Sequence, residues 1–199
     1  MLLMSEEFKR QVVHAAGIVF ILLAFFMEKW LAIVLFADIV VFFLLYGELI
    51  HTTKKSIFGF RKHFLGLERK GVRPFFGALL FYLGCLITFI LFPTRIAVAA
   101  CCILAIGDSL STIIGMKFGK VKIYNKRTLE GSLAFFASAL LISLVFVDFR
   151  LALIGAFAGT LTELFGSSTK LKNKFWLFDD NLLIPIISGA VMFGFGLFW

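Results

Sequence analysis

The hydrophobic positions of the chain fall into seven continuous runs: Val12 to Met27, Trp30 to Ile50, Pro74 to Phe92, Ile96 to Gly115, Ser132 to Val147, Leu151 to Phe165, and Leu182 to Trp199. The runs are continuous rather than alternating, so they do not match the short apolar/polar strands of a membrane β-barrel. They predict helices, because a helix satisfies its own backbone polar groups in lipid. A full crossing takes about 20 apolar residues, and the first, fifth and sixth runs are short by that measure. Lys9 and Arg10 precede the first run as they would in a signal peptide. No Ala-x-Ala-like cleavage site follows it, so the expectation is a retained helix.

Composition supports the same class. Of 199 residues, 61% are hydrophobic and 16% charged, with a mean hydropathy of +1.01. A soluble domain is about 45–50% apolar and about 25% charged. Soluble globular, disordered and disulfide-scaffold classes are therefore excluded. The expected fold is all-α, a polytopic membrane protein of about seven transmembrane helices forming a single domain over 1–199. Cys85, Cys101 and Cys102 lie inside apolar runs with no metal-ligand spacing to a His, and read as small packing residues.

Charge adds an orientation. The net charge is +8, and 17 of the 20 Lys and Arg residues fall in the N-terminus and in the second, fourth and sixth connections. The other three, Lys29, Arg95 and Arg150, fall one to each of the remaining connections. By the positive-inside rule the N-terminus is expected in the cytoplasm and the C-terminus outside. The basic balance then belongs to loops and lipid headgroups, and nucleic acid is not an expected partner. The outer connections are tiny, so any soluble substrate is expected from the cytosol. No convincing internal repeat is visible, which disfavours a transporter built from repeated halves.

Acidic residues in or beside spans are costly and mark functional sites by default. Here they are Asp38, Glu48, Asp108, Glu130, Glu163, Asp179 and Asp180. The bland reading of Asp38 is a polar contact to another helix, and Asp148 reads as a solvated charge on an outer turn. The densest constellation runs from Gly107 to Ser132. A helix entering at Ile96 reaches Asp108 after about 18 Å, at about 1.5 Å per residue. Thr112 shares its face one turn on, with Gly115 beyond. Lys117, Lys120, Lys122, Lys126 and Arg127 follow, then Glu130 and Gly131. A carboxylate can hold a hard cation such as Mg²⁺. Cations and glycine N–H groups can hold phosphates. Together they suit a nucleoside triphosphate with its metal, against the plainer reading of a basic loop meeting headgroups. Gly115 to Val121 misses the P-loop spacing by one residue and lacks its Ser or Thr. Protein-kinase signatures are absent, as is His-Glu-x-x-His.

Gly155, Gly159 and Glu163 recur every four residues and share one helix face, where glycines let a neighbouring helix approach. That ridge could serve internal packing or a homodimer. Asp179, Asp180 and Asn181 precede the last span; capping accounts for one of them but not for an adjacent acidic pair. His14 lies just inside the first span after Arg10, while His51 and His63 read as solvated.

These residues resemble the CTP-dependent lipid kinases: dolichol kinase, phytol kinase and the fungal-type diacylglycerol kinase. The resemblance rests on Gly107-Asp108-Ser109, Gly115, Gly119-Lys120 and Arg127-Thr128-Leu129-Glu130-Gly131-Ser132. It extends to Thr162-Glu163, Asp179-Asp180-Asn181-Leu182 with Pro185, and Arg10 with His14. Gln11 and Arg127 depart from the family, which often has Lys at both places; Arg keeps the charge but adds a planar fork. The resemblance implies transfer of the γ-phosphate of CTP to a membrane-embedded alcohol, an isoprenoid in preference to diacylglycerol. It also implies Mg²⁺ on Asp108, Glu130 and Asp179, helped by Glu163 or Asp180. Lys120, Lys126 and Arg127 would meet the triphosphate, with Thr128, Gly131, Ser132, Arg10 and His14 on the nucleotide side. Asp108, Glu163 and Asp180 are the catalytic candidates, the last two as alternatives for general base. The wider superfamily includes cytidylyltransferases that form CDP-lipids, but their signature is absent. A non-enzymatic small transporter is the remaining alternative.

Overall fold

The computed structural model describes residues 11, 14–53, 75–125, 127–166 and 179–197. The elements are α1 (Ile18–Phe25), α2 (Lys29–Thr53), α3 (Phe76–Leu91), α4 (Thr94–Cys102), a π-helical turn (Ile103–Asp108), α5 (Ser109–Phe118), β1 (Lys122–Tyr124), β2 (Arg127–Thr128), α6 (Leu129–Ser143), α7 (Phe149–Gly166) and α8 (Asp180–Gly196). α4, the π turn and α5 form one continuous helix, so seven apolar helices match the seven runs. Three of them, Lys29–Ile50, Thr94–Phe118 and Phe149–Gly166, are long and apolar enough to cross a membrane. The expectation of an all-α chain needs one addition, the β1–β2 hairpin, paired antiparallel with a bulge between Lys122 and Tyr124.

The Thr94–Phe118 helix is the axis of the molecule. Every side chain from Ala97 to Ala105 is fully buried. A helix apolar on all faces needs neighbours on all faces, and α1, α3, α6 and α8 pack around it. Its small residues, Ala97, Ala99, Ala100, Cys101, Cys102 and Ala105, permit that crowding. By contrast, α2 lies outside against α1 and α3. Its outward side shows Trp30, Val34, Val41, Phe42 and Leu45.

The glycine ridge of α7 is spent inside the protein. A Cβ at Gly159 would stand 2.8 Å from Ile103 Cγ2 and 2.9 Å from Ser188 Oγ. One at Gly155 would stand 2.6 Å from Met192 Sδ. Of the two uses the sequence left open, internal packing is the one seen, and it draws α7 against the π turn and α8 next to the candidate site.

Two helix starts precede their apolar runs because polar caps fix them. Thr128 begins α6, its Oγ1 accepting from Gly131 N at 3.2 Å. Asp179 begins α8, its Oδ1 accepting from Asn181 N at 3.0 Å. Such caps satisfy N–H groups that a helix leaves open at its start. Asp148 does likewise for α7, accepting from Arg150 N and Leu151 N, so its exposed charge also has a structural use.

Candidate active site

Arg127 in β2 projects into a nest of carboxylates drawn from three elements. Its Nη1 lies 2.6 Å from Glu163 Oε1 in α7, and its Nη2 lies 3.0 Å from Asp180 Oδ2 at the start of α8. Asp108 Oδ1, at the end of the π turn, is 4.0 Å from the same Nη2. Thus Asp108, Glu163 and Asp180, separated by up to 72 positions, meet on one guanidinium. Arg127 suits this work because its planar fork carries five donors. Burial acts to lower its pKa, but Glu163, Asp108 and Asp180 outweigh burial and hold the pKa above the ordinary arginine value. The guanidinium is therefore charged at every working pH.

Each carboxylate is placed by its own local structure. The π turn inserts an extra residue into the central helix just before Asp108, a bulge that recurs at functional sites. Ser109 Oγ donates to Ala105 O at 2.7 Å and to Gln11 O at 3.3 Å, so Gln11 lies beside that region. Glu163 is fully buried, and Ser111 Oγ donates to its Oε1 at 2.6 Å. Both partners thus engage Oε1, while Oε2 is buried without a hydrogen-bond partner. Asp180 packs against Gly166, where a Cβ would stand 2.8 Å from its Oδ1. The start of α6 comes close because two glycines meet: a Cβ at Gly131 would stand 3.0 Å from Ser111 O and 3.3 Å from Gly115 Cα.

The other sequence candidates are distributed around this nest. Asp179 caps α8 beside Asp180. Glu130 turns to the hairpin, its two oxygens accepting from Val121 N at 3.3 and 3.4 Å, with Lys120 nearby. It makes no ion pair with Arg127. Lys120 is exposed between α5 and β1. Ser132 Oγ is buried without a hydrogen-bond partner at the start of α6. His14 packs edge-on against Phe81 at 4.7 Å between centroids. Arg10 and Lys126 lie outside the described residues. Ser111 is the functional neighbour that sequence reading passed over; its signal is the three-residue spacing from Asp108 on one helix.

The donor set has the character of a cation site. Three carboxylates face one guanidinium, an excess of two negative charges among these described residues. No three His, Cys, Asp or Glu side chains among the described residues stand close enough to hold a metal by themselves. Mg²⁺ does not need that many, since it commonly takes one or two carboxylates together with substrate phosphates and water.

No protein-family model matches the sequence, and no solved structure matches it. Curated sequences do. An uncharacterized protein of Methanocaldococcus jannaschii is 34% identical over 190 residues, 94% of this chain and 93% of its own. One of Rickettsia prowazekii is 30% identical over 186 residues, 90% of each. Two named enzymes share less: the CTP-dependent diacylglycerol kinase 1 of Schizosaccharomyces pombe is 28% identical over 136 residues, 59% of each chain. The dolichol kinase of Saccharomyces cerevisiae is 39% identical over 85 residues, 41% of this chain and 16% of the enzyme. The chain is thus similar, over part of its length, to two CTP-dependent lipid kinases. That similarity leaves the acceptor open.

Proposed function

We propose that this protein is a CTP-dependent lipid kinase that moves the γ-phosphate of CTP to the hydroxyl of a membrane isoprenoid alcohol, releasing CDP. The observation that carries the reading is the meeting of Asp108, from within the Thr94–Phe118 helix, with Glu163 and Asp180, near the ends of α7 and α8, on the half-buried Arg127. Phosphoryl transfer is mainly positioning and charge neutralisation, and an acidic nest with an excess of negative charge suits a metal–triphosphate. Asp108 and Asp180, which flank Arg127 Nη2, are the residues that would hold Mg²⁺, with Asp179 adjacent. When bound, the ion would neutralise charge on the phosphates. Arg127 holds the carboxylates together before substrate arrives and offers its remaining donor capacity to a phosphate oxygen. Lys120, exposed between α5 and β1, would meet a triphosphate arriving from the aqueous side. Glu163, whose Oε2 has no hydrogen-bond partner, would take the proton of the lipid hydroxyl, with Asp180 as the alternative base only if it does not hold the metal. The cation asymmetry supports a cytoplasmic-facing site and a cytoplasmic N-terminus.

Diacylglycerol is the second acceptor to test, because the diacylglycerol kinase of S. pombe matches more of this chain than the dolichol kinase does. Purified protein, γ-labelled CTP and a panel of polyprenol, phytol, geranylgeraniol and diacylglycerol decide between them. Label in an isoprenyl phosphate supports the proposal; label in phosphatidic acid alone replaces the acceptor. Release of pyrophosphate with a CDP-lipid would replace the reaction.

A further inference from the structure

The hairpin that delivers Arg127 carries a surface unlike an ordinary aqueous loop. Phe118, Val121, Ile123 and Tyr124 are exposed by 54, 52, 45 and 40%. Lys117, Lys120 and Lys122 are exposed among them, and Lys117 Nζ lies 5.2 Å from the Phe118 ring centroid. A lone two-stranded hairpin is marginal in water, and an exposed apolar patch of this kind marks a contact surface.

Position identifies the partner. The hairpin leaves the end of the Thr94–Phe118 helix, and the Tyr124 ring meets Phe165, tilted at 59° with centroids 5.8 Å apart, near the end of the Phe149–Gly166 helix. Both helices are long enough to cross a membrane, so their adjacent ends set the hairpin at headgroup depth. Aromatic side chains settle at that depth, and lysines there attract anionic headgroups.

We propose that the β1–β2 hairpin is an interfacial lipid-docking element, with Val121, Ile123 and Tyr124 seated at the acyl–headgroup boundary and Lys117 and Lys122 on anionic lipid phosphates. The contact reaches the acidic nest through the strand pair: Tyr124 stands opposite Arg127, and Leu129 N donates to Val121 O at 2.8 Å. Anionic lipid thereby steadies the strand that carries the guanidinium. This inference concerns the lipid surface and stands whether or not the chain turns over CTP.

The test places a nitroxide on Ile123→Cys, since the native cysteines are buried. The full chain is reconstituted in phosphatidylcholine vesicles and in phosphatidylcholine–phosphatidylglycerol vesicles. Oxygen should reach the label more readily than a water-soluble nickel chelate does, and the anionic lipid should add protection from nickel that high salt removes. Lys117→Gln and Lys122→Gln should each weaken that added protection about five-fold, the factor for about 1 kcal/mol per surface cation. Hydrogen exchange at the Leu129 amide should slow in the anionic vesicles. Equal access to nickel and oxygen in both vesicles would place the hairpin in water and overturn the proposal. Shielding from both reagents would mean cover by protein, and protection that arises only with CTP would mean a nucleotide surface; either result also overturns it.

Discussion

Two helices of similar hydropathy, each with an aspartate well inside it, have opposite fates. Thr94–Phe118 (mean hydropathy 2.0) is 67% buried along its most apolar stretch, whereas Lys29–Ile50 (2.4) is 22% buried. Asp108 in the first meets Arg127. Asp38 in the second is exposed and has no hydrogen-bond or ion-pair partner among the described residues. Hydropathy does not separate them; side-chain size does. Ala and Cys let four helices close on the first, while Trp30, Phe42, Leu44 and Leu45 keep the second at the rim. A membrane helix becomes a site where small residues allow other helix ends to bring charges to it.

The largest effect is expected from Arg127→Ala, which leaves Glu163 and Asp180 without their cation. Loss of one partner from a buried ionic group costs about 3–5 kcal/mol. A melting temperature in detergent equal to wild type would show that the nest does not hold these helices together. Asp108→Asn comes next. Asp108 is the most distant of the three acids from the guanidinium, so the fold should survive while turnover falls about 10²–10³-fold, as when a positioned electrostatic group is lost. Turnover within a few-fold of wild type would remove Asp108 from the mechanism.

Gly159→Leu tests the packing itself. Its side chain would have to displace Ile103 and Ser188, at an expected cost of about 1–3 kcal/mol from overpacking. An unshifted melt would mean that α7 does not sit against the π turn. The smallest effect belongs to Asp38→Asn, which should leave stability within about 0.5 kcal/mol and turnover unchanged. If it instead matched Asp108→Asn, the distinction between core and rim helices would fail.

Much of this was legible from the sequence, for physical reasons. Continuous apolar runs located all seven helices, and the four-residue spacing of Gly155, Gly159 and Glu163 foretold one packed face ending in a carboxylate. The acids Asp108, Glu163 and Asp180 stood out because charge beside apolar sequence is expensive. The starts of α6 and α8 were read late because Thr128 and Asp179 cap them with polar atoms that hydropathy scores as loop. The π turn left no trace, since a one-residue bulge changes helix register without changing composition. The hairpin was too short to show a strand period. The resemblance places Arg127 on the triphosphate; its ion pairs with acids 36 and 53 positions later are something no local pattern reveals.

The proposed reaction at the nest around Arg127 is transfer of phosphate from CTP to a lipid alcohol. The most direct measurement is product analysis of purified protein with γ-labelled CTP and the lipid panel, run beside Asp108→Asn. The account predicts label in a lipid monophosphate, CDP in equal amount, and loss of both in the variant. CTP left intact with every alcohol, or pyrophosphate released in place of CDP, would contradict it.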